Sequence, residues 1–291
     1  MRLNFIHEHR QRWPIAVQCR VLEVSAAAYY KSLGRTESDT SRKSKQIIDE
    51  IRRIRLQPKM DSYGSPRIHR ELIRSGVACC KNTVAKLMRR EGIRAKTAKK
   101  FRAATTDSNH DRPIAPNRLD QQFTAQDINQ VWLTDFTYLP TKEGFTYLCT
   151  ILDMHSRKIV GYATSRRIDA ALAVAAIQQA IALRQPPAGL ILHSDRGSQY
   201  ASVRFQKTLA KHQILQSMSR KGNCYDNAPM ESFFKTFKTE EVYQQPTYAT
   251  HEQATRSVID YIDRFYNRER LHSSLGYQSP VEFEQSLRPS G

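Results

Sequence analysis

The sequence predicts an α/β fold: a mixed sheet packed between helices in the back half, preceded by an all-α, basic front half. Three observations predict it. Residues 1–120 hold 27 Lys and Arg against 12 Asp and Glu, net +15, whereas residues 121–291 hold 19 against 16, net +3. Apolar residues in the front half recur at helical spacing. After residue 130, three runs rich in aromatic and β-branched residues give way to alternating helical and strand patterns.

A hydrophobic content of 40% excludes a wholly disordered chain. No apolar run approaches the roughly 18 residues a membrane-spanning helix needs. The start, MRLNFIHEHRQRW, lacks the apolar stretch of a secretory signal. Cys19, Cys79, Cys80, Cys149 and Cys224 are scattered and form no C-x-x-C pair. Neither a zinc knuckle nor a disulfide framework is legible, so a reducing cytoplasm is expected. An excess of positive charge this lopsided points to a polyanionic partner, nucleic acid first.

Residues 1–40 read as a helical segment of helix-turn-helix type. Pro14 suits a first helical position, Ser25 suits a cap, and Tyr29, Tyr30 and Leu33 follow it. A second unit spans 41–100. Ile47, Ile48, Ile51 and Ile54 form a helical stripe over 41–56. In YGSPRIHRELIRSGVACCKNTVAKLMRREGI (63–93), Ser65-Pro66 opens a helix to about Arg74 and Gly76 makes the turn. Asn82 or Thr83 opens the next helix, with Val84, Leu87 and Met88 inward and Gly92 at its end. Arg67 on the first of these helices and Lys81, Lys86, Arg89 and Arg90 on the second are the candidate DNA contacts. The alternative is a helical hairpin with a solvated basic face. Residues 101–125, with Pro113, Pro116 and several Asn and Asp, read as a linker.

Residues 126–291 form the remaining unit. Runs 131–139, 145–153 and 157–164 predict an antiparallel meander. A helix over 169–184 starts at Asp169, 189–194 is a buried strand, 199–212 a helix and 214–218 a short strand. A polar loop (219–227) precedes a helix beginning near Ala228-Pro229, and another helix spans about 250–268.

Three acids stand out in that order. Asp135 sits in an aromatic strand, where an ionised side chain is costly without compensation. Asp195 ends a buried strand, the position at which α/β sheets place their chemistry. Glu231 follows after 35 intervening residues, early in a helix. On that helix Met230, Phe233, Phe234 and Phe237 make an apolar stripe, and Glu231, Lys235 and Lys238 make an adjacent polar one. A solvated Glu–Lys pair would explain the polar stripe but not the two strand aspartates. Carboxylates suit Mg²⁺, and two ions about 3.5–4 Å apart can serve both oxygens of a phosphodiester displacement. Asp135 would bridge the ions, Asp195 and Glu231 would each complete one site, and Lys235 and Lys238 would hold the DNA backbone.

Other residues read as structural. Asp153 shapes a hairpin, Trp132 belongs to the core, His193 packs within its strand, and Asp226 and Asn227 serve the loop and helix cap. Tyr225 is a candidate for stacking on a base. Arg264, Arg268, Arg270 and His272 either touch phosphates or face solvent.

The segments YGSPRIHREL, VWLTDFTYL, HSDRGSQY, NAPMESFFKTFKTE and YNRERLHSSLGYQSP resemble the D,D,E transposases and retroviral integrases, and most closely the OrfB-type products of bacterial insertion sequences. The resemblance covers nearly the whole chain, and its acidic triad and the Lys seven residues after the Glu show no departure. It implies a ribonuclease-H-like core and DNA cleavage with Mg²⁺, which Mn²⁺ would replace. It also implies transfer of the freed 3′-hydroxyl to another phosphodiester. A homo-oligomer on DNA and an upstream-frame (OrfA-type) companion or fusion partner are implied as well. The N-terminal His/Cys zinc unit that integrases often carry is not present. A structure-specific nuclease of the same fold and a DNA-binding regulator with an inert core stay open as alternatives.

Overall fold

The computed structural model describes residues 2–33, 38–97, 112–120, 124–220, 227–244 and 246–287. Three short helices come first: α1 (Arg2–Glu8), α2 (Ile15–Val21) and α3 (Ala26–Leu33). Ile6, Cys19 and Tyr29, one from each helix, close a small core. Ser25 accepts from the Ala28 amide as the sequence suggests. Helix α1 was not expected.

Helix α4 (Asp39–Leu56) is capped by Ser38 and buries the four-isoleucine stripe. Helices α5 (Ser65–Arg74) and α6 (Lys81–Arg90) complete the helix-turn-helix pair. Between them Gly76 takes φ +79°, a left-handed turn that favours glycine. The α6 cap is Cys80, ahead of the expected Asn82 or Thr83, its Sγ accepting from the Thr83 amide.

The sheet runs in the order β3-β2-β1-β4-β5. Its strands are β1 (Val131–Thr141), β2 (Gly144–Asp153), β3 (Ile159–Ser165), β4 (Ile191–Ser194) and β5 (Leu215–Met218). The first three pair antiparallel, and β4 and β5 add in parallel, as the meander and the buried strand predict. Helices α7 (Ala170–Arg184) and α8 (Val203–Lys211) share a core with Trp132, Ile151 and Leu192 on one face. Helix α9 (Ala228–Glu240), α10 (His251–Ile259) and its π-helical continuation Asp260–Tyr266 cover the other face. A last helix, α11 (Pro280–Ser286), lies beyond the expected elements. This mixed sheet between helix layers is the ribonuclease-H-like arrangement.

Strand β3 meets α7 closely. A Cβ on Gly161 would stand 2.6 Å from the Ala176 carbonyl oxygen and 2.7 Å from the Ala180 Cβ. The alanine-rich face of α7 and this glycine allow the contact together.

The helix-turn-helix unit shares its core with the sheet. Ile51, Tyr63, Ile68 and Leu72 lie in one continuous apolar cluster with Leu133, Phe237, Phe265 and Leu271. A buried polar knot sits at the seam. The Glu240 carboxylate accepts from Arg270 Nε at 2.7 Å, Arg270 Nη2 at 2.9 Å and the Tyr261 hydroxyl at 2.8 Å. Arg67 Nη1 approaches it at 3.6 Å.

The expected linker is, in its described part, no free tether. Residues 112–120 have neither helix nor strand, yet they lie on the sheet's β4–β5 edge. Leu119 is buried in the α9-side cluster, and the Arg118 amide donates to Ser217 Oγ at 2.9 Å.

Candidate active site

Strand alternation decides which side chains can meet. On β1, Val131, Leu133 and Leu139 belong to the α9-side cluster and Trp132 to the opposite one. Asp135 shares the parity of Leu133 and therefore α9's face. On β4, Ile191 packs on that same side and Leu192 on the other. Leu133 pairs in register with His193, and Asp135 and Asp195 each lie two residues further on. Parallel neighbours with equal offsets bring both carboxylates to the same depth at the carboxyl end of the sheet. Helix α9 faces them, its start tied down where the Asn227 amide donates to the Thr134 carbonyl at 3.4 Å. Its stripe divides as expected: Met230, Phe233, Phe234 and Phe237 are buried, and Glu231 and Lys235 are exposed.

The carboxylates feel one another. Burial first, then the charge of Asp195 and more weakly that of Glu231, hold the Asp135 carboxyl well above the usual range. The Phe136 amide, donating to Asp135 Oδ1 at 2.7 Å, and the Lys238 ammonium act in the opposite sense. Burial also raises Glu231. Asp195 Oδ1 accepts from the Gly197 amide at 2.9 Å, which fixes its side chain across the turn after β4. Lys238 is half-buried, with Nζ 5.1 Å from the centroid of the Tyr138 ring; burial lowers its pKa and Asp135 counters that. Among the described residues, no three His, Cys, Asp or Glu side chains gather tightly enough to enclose an ion.

Lys81, Lys86, Arg89 and Arg90 all lie on the exposed side of α6. Arg67 requires a correction. It is turned inward at the seam, where Nε donates to the Leu271 carbonyl at 2.9 Å and the guanidinium stacks on Tyr63. Its charge answers Glu240, not a phosphate. Arg270 and His272 are likewise buried, at 5% and 8% exposure, so neither faces solvent or reaches DNA. Arg264 and Arg268 are exposed.

Asn227 does not cap α9; its side chain reaches β1 instead. Asp153 is a buried staple, accepting from the Asn129, His155 and Ser156 amides, the Trp132 indole and the Ser156 hydroxyl. His193 packs in its strand, with Nδ1 2.9 Å from Ser217 Oγ. Tyr225 and Asp226 lie outside the described residues. Sequence reasoning missed Arg112 and Arg118, which the 112–120 segment sets at the β4–β5 edge; no local pattern separates them from linker arginines.

Two integrase core domain models match residues 125–224 and 231–287, and an HTH-like domain model matches residues 42–101. The chain is 38% identical over 285 residues to "Transposase InsF for insertion sequence IS3A" of Escherichia coli (strain K12), covering 98% of each. It is 40% identical over 267 residues to "Insertion element IS600 uncharacterized 31 kDa protein" of Shigella sonnei, covering 92% of this chain and 97% of that one. Among solved structures, it is similar to a chain of "CryoEM structure of simian T-cell lymphotropic virus intasome in complex with PP2A regulatory subunit B56 gamma". That likeness has a TM-score of 0.48 and 15% identity, over 79% of this chain and 73% of the other. The family models and the curated relatives define a DNA transposase with an integrase core domain. The chain belongs to the IS3-type insertion-sequence transposases of the integrase superfamily.

Proposed function

We propose that this transposase cuts DNA at insertion-sequence ends and joins the freed 3′-hydroxyl to a second DNA, with Asp135, Asp195 and Glu231 as its catalytic acids. The observation that carries the reading is the placement of Asp135 and Asp195 at equal depth on adjacent parallel strands, on the face α9 covers, with the charges of Asp195 and Glu231 acting on Asp135. In cleavage, a water oxygen attacks phosphorus as the bond to the 3′ oxygen breaks, and the proton passes to solvent. In joining, that 3′-hydroxyl attacks a phosphodiester of the second DNA and displaces its 3′-oxygen. Both are in-line displacements, so one site serves both.

The donor set suits divalent cations. It is all oxygen, and burial followed by the charge of Asp195 raises the Asp135 carboxyl, a cost that a bound cation would offset. Asp135 would touch both ions of a Mg²⁺ pair, with Asp195 and Glu231 each completing one; Mn²⁺ has the same ligand preference. Bound there, the cations would offset the charge that develops on the phosphate oxygens. Glu231, on the exposed rim of α9, would have to turn its side chain inward to join the set. Lys235 and Lys238 hold the DNA backbone along α9, and Lys81, Lys86, Arg89 and Arg90 offer phosphate contacts on α6. A homo-oligomer on DNA and an upstream-frame companion complete the assembly in this reading.

The test uses a labelled duplex carrying an element end, a target plasmid and Mg²⁺. The parent protein should give cut and joined products. Asp195→Asn should lose both while still binding DNA, because it removes a ligand and a negative charge together. Cutting by that variant at the parent rate would overturn the assignment, and cutting without joining in the parent would favour the nuclease alternative.

A further inference from the structure

The nine described residues 112–120 are held with more care than a spacer needs. Pro113 and Pro116 fix two backbone angles. Asn117 Oδ1 accepts from the Leu119 and Asp120 amides, both at 3.1 Å, and so shapes a turn. Leu119 is 5% exposed in the α9-side cluster, while Ala115 packs on the cluster of the opposite face. The segment therefore wraps the edge of the sheet as a strap, at the carboxyl ends of β4 and β5. Arg112 Nη1 donates to the Ser198 carbonyl at 2.8 Å, in the turn that follows Asp195. Arg118 is anchored through its backbone on Ser217, and its side chain is exposed.

The rim so formed is cationic. Arg112 reaches the turn after Asp195, Arg118 is anchored at Ser217, Arg196 Nε donates to the Ser219 carbonyl at 2.7 Å, and Arg220 pairs with Asp120 at 3.1 Å. A site built on three carboxylates repels a polyanion, so positive charge must hold the strand nearby. A strand cut within the site also continues on both sides of the cut, and α9 supplies lysines on one flank alone.

We propose that the strap is a second DNA-binding element, in which Arg112 and Arg118 take backbone phosphates of a strand leaving the active site on the β4–β5 flank. The proposal rests on the transposase reading above and deepens it. Phosphates of the element end and of the target DNA share this chemistry, and the experiment separates them.

The full chain, Arg112→Ala/Arg118→Ala and Arg112→Lys/Arg118→Lys are compared for equilibrium binding of an element-end duplex across a salt series without divalent metal. Two lost phosphate contacts should lower the slope of log K against log salt by about two units, and the lysine pair should restore it. Arg118→Ala alone, which leaves every described hydrogen bond of the strap in place, should lower it by about one. A parental slope on both the element-end and the target duplex in the double alanine variant overturns the proposal, and so does a lysine pair that loses as much as the alanines. A slope change on the end duplex assigns the rim to the element end. A change confined to a second, target duplex, with matching loss of joining but not of cutting, assigns it to the target. Binding slopes decide the rim independently of cutting, so a parent that binds but never cuts refutes the proposed function alone.

Discussion

Glu240→Gln probes the knot that joins the helix-turn-helix unit to α9. Glu240 is 5% exposed and answers two guanidinium groups, Arg270 in a bidentate pair and Arg67 at 3.6 Å. Burial works against charge on Arg270, yet the Glu240 carboxylate holds it above its ordinary value. Gln keeps the shape but turns one acceptor into a donor facing an Arg270 donor. One charge-assisted hydrogen bond goes, a loss of about 1.5–3 kcal/mol. The buried Arg270 and the partly buried Arg67 also lose their counter-charge, and breaking a buried pair typically costs about 3–5 kcal/mol in all. That corresponds to a melting temperature lower by roughly 10 °C. The assay is urea and thermal unfolding followed by circular dichroism, with Glu252→Gln as control. Glu252 pairs with Arg256 at 2.6 Å, but both side chains are more than 70% exposed, so that change should cost no more than about 0.5 kcal/mol. A Glu240→Gln cost as small as the control's would refute the reasoning.

Three further expectations follow from the geometry. Gly161→Ala should destabilise by about 1–3 kcal/mol through forced separation of β3 and α7, read as a shift in urea midpoint; a neutral result would mean that the contact gives way freely. Burial, then the charge of Arg270, pushes His272 well below its usual pKa, so the folded state keeps it neutral. An unfolded chain takes up that proton below about pH 6.5, so stability should fall as pH drops through this point, by at most about 1.4 kcal/mol per unit, and His272→Asn should flatten the decline. Among the described cysteines, Cys80 should react first with a thiol reagent near pH 8, since it is exposed and its thiol is lowered by the Thr83 hydroxyl and amide. Cys149, buried and pushed up to about 12, should resist until the protein unfolds; equal labelling by mass spectrometry would contradict both environments.

The sheet was legible because its signal is local. The aromatic and β-branched runs of β1 to β3 lie next to each other in sequence and pair in that order. The α9 stripe was legible for the same reason, since four apolar side chains within eight residues define its buried face. Helix α1 was not, because its one buried residue, Ile6, finds partners only in Cys19 and Tyr29. Helix α11 has a local sign in Ser279, Pro280 and Glu282, a capping box with proline in the first turn. Arg67, Arg270 and His272 look like DNA contacts in a basic sequence. Glu240, the partner of both arginines, is 30 residues from Arg270 and much further from Arg67, and no local pattern announces it. Asp153 and Asp135 both belong to the central strand pair, yet a turn's worth of donors satisfies the first and like charges crowd the second.

The continuous apolar cluster bears on how the chain tolerates division. Severed within 101–125, neither piece would keep its interior sealed: Tyr63 and Leu72 would lose Phe265 and Leu271, and those two would meet water in turn. The family models mark three stretches along the sequence, but the shared interior predicts unfolding in a single cooperative transition, and a back half made alone would expose apolar surface where α5 had packed.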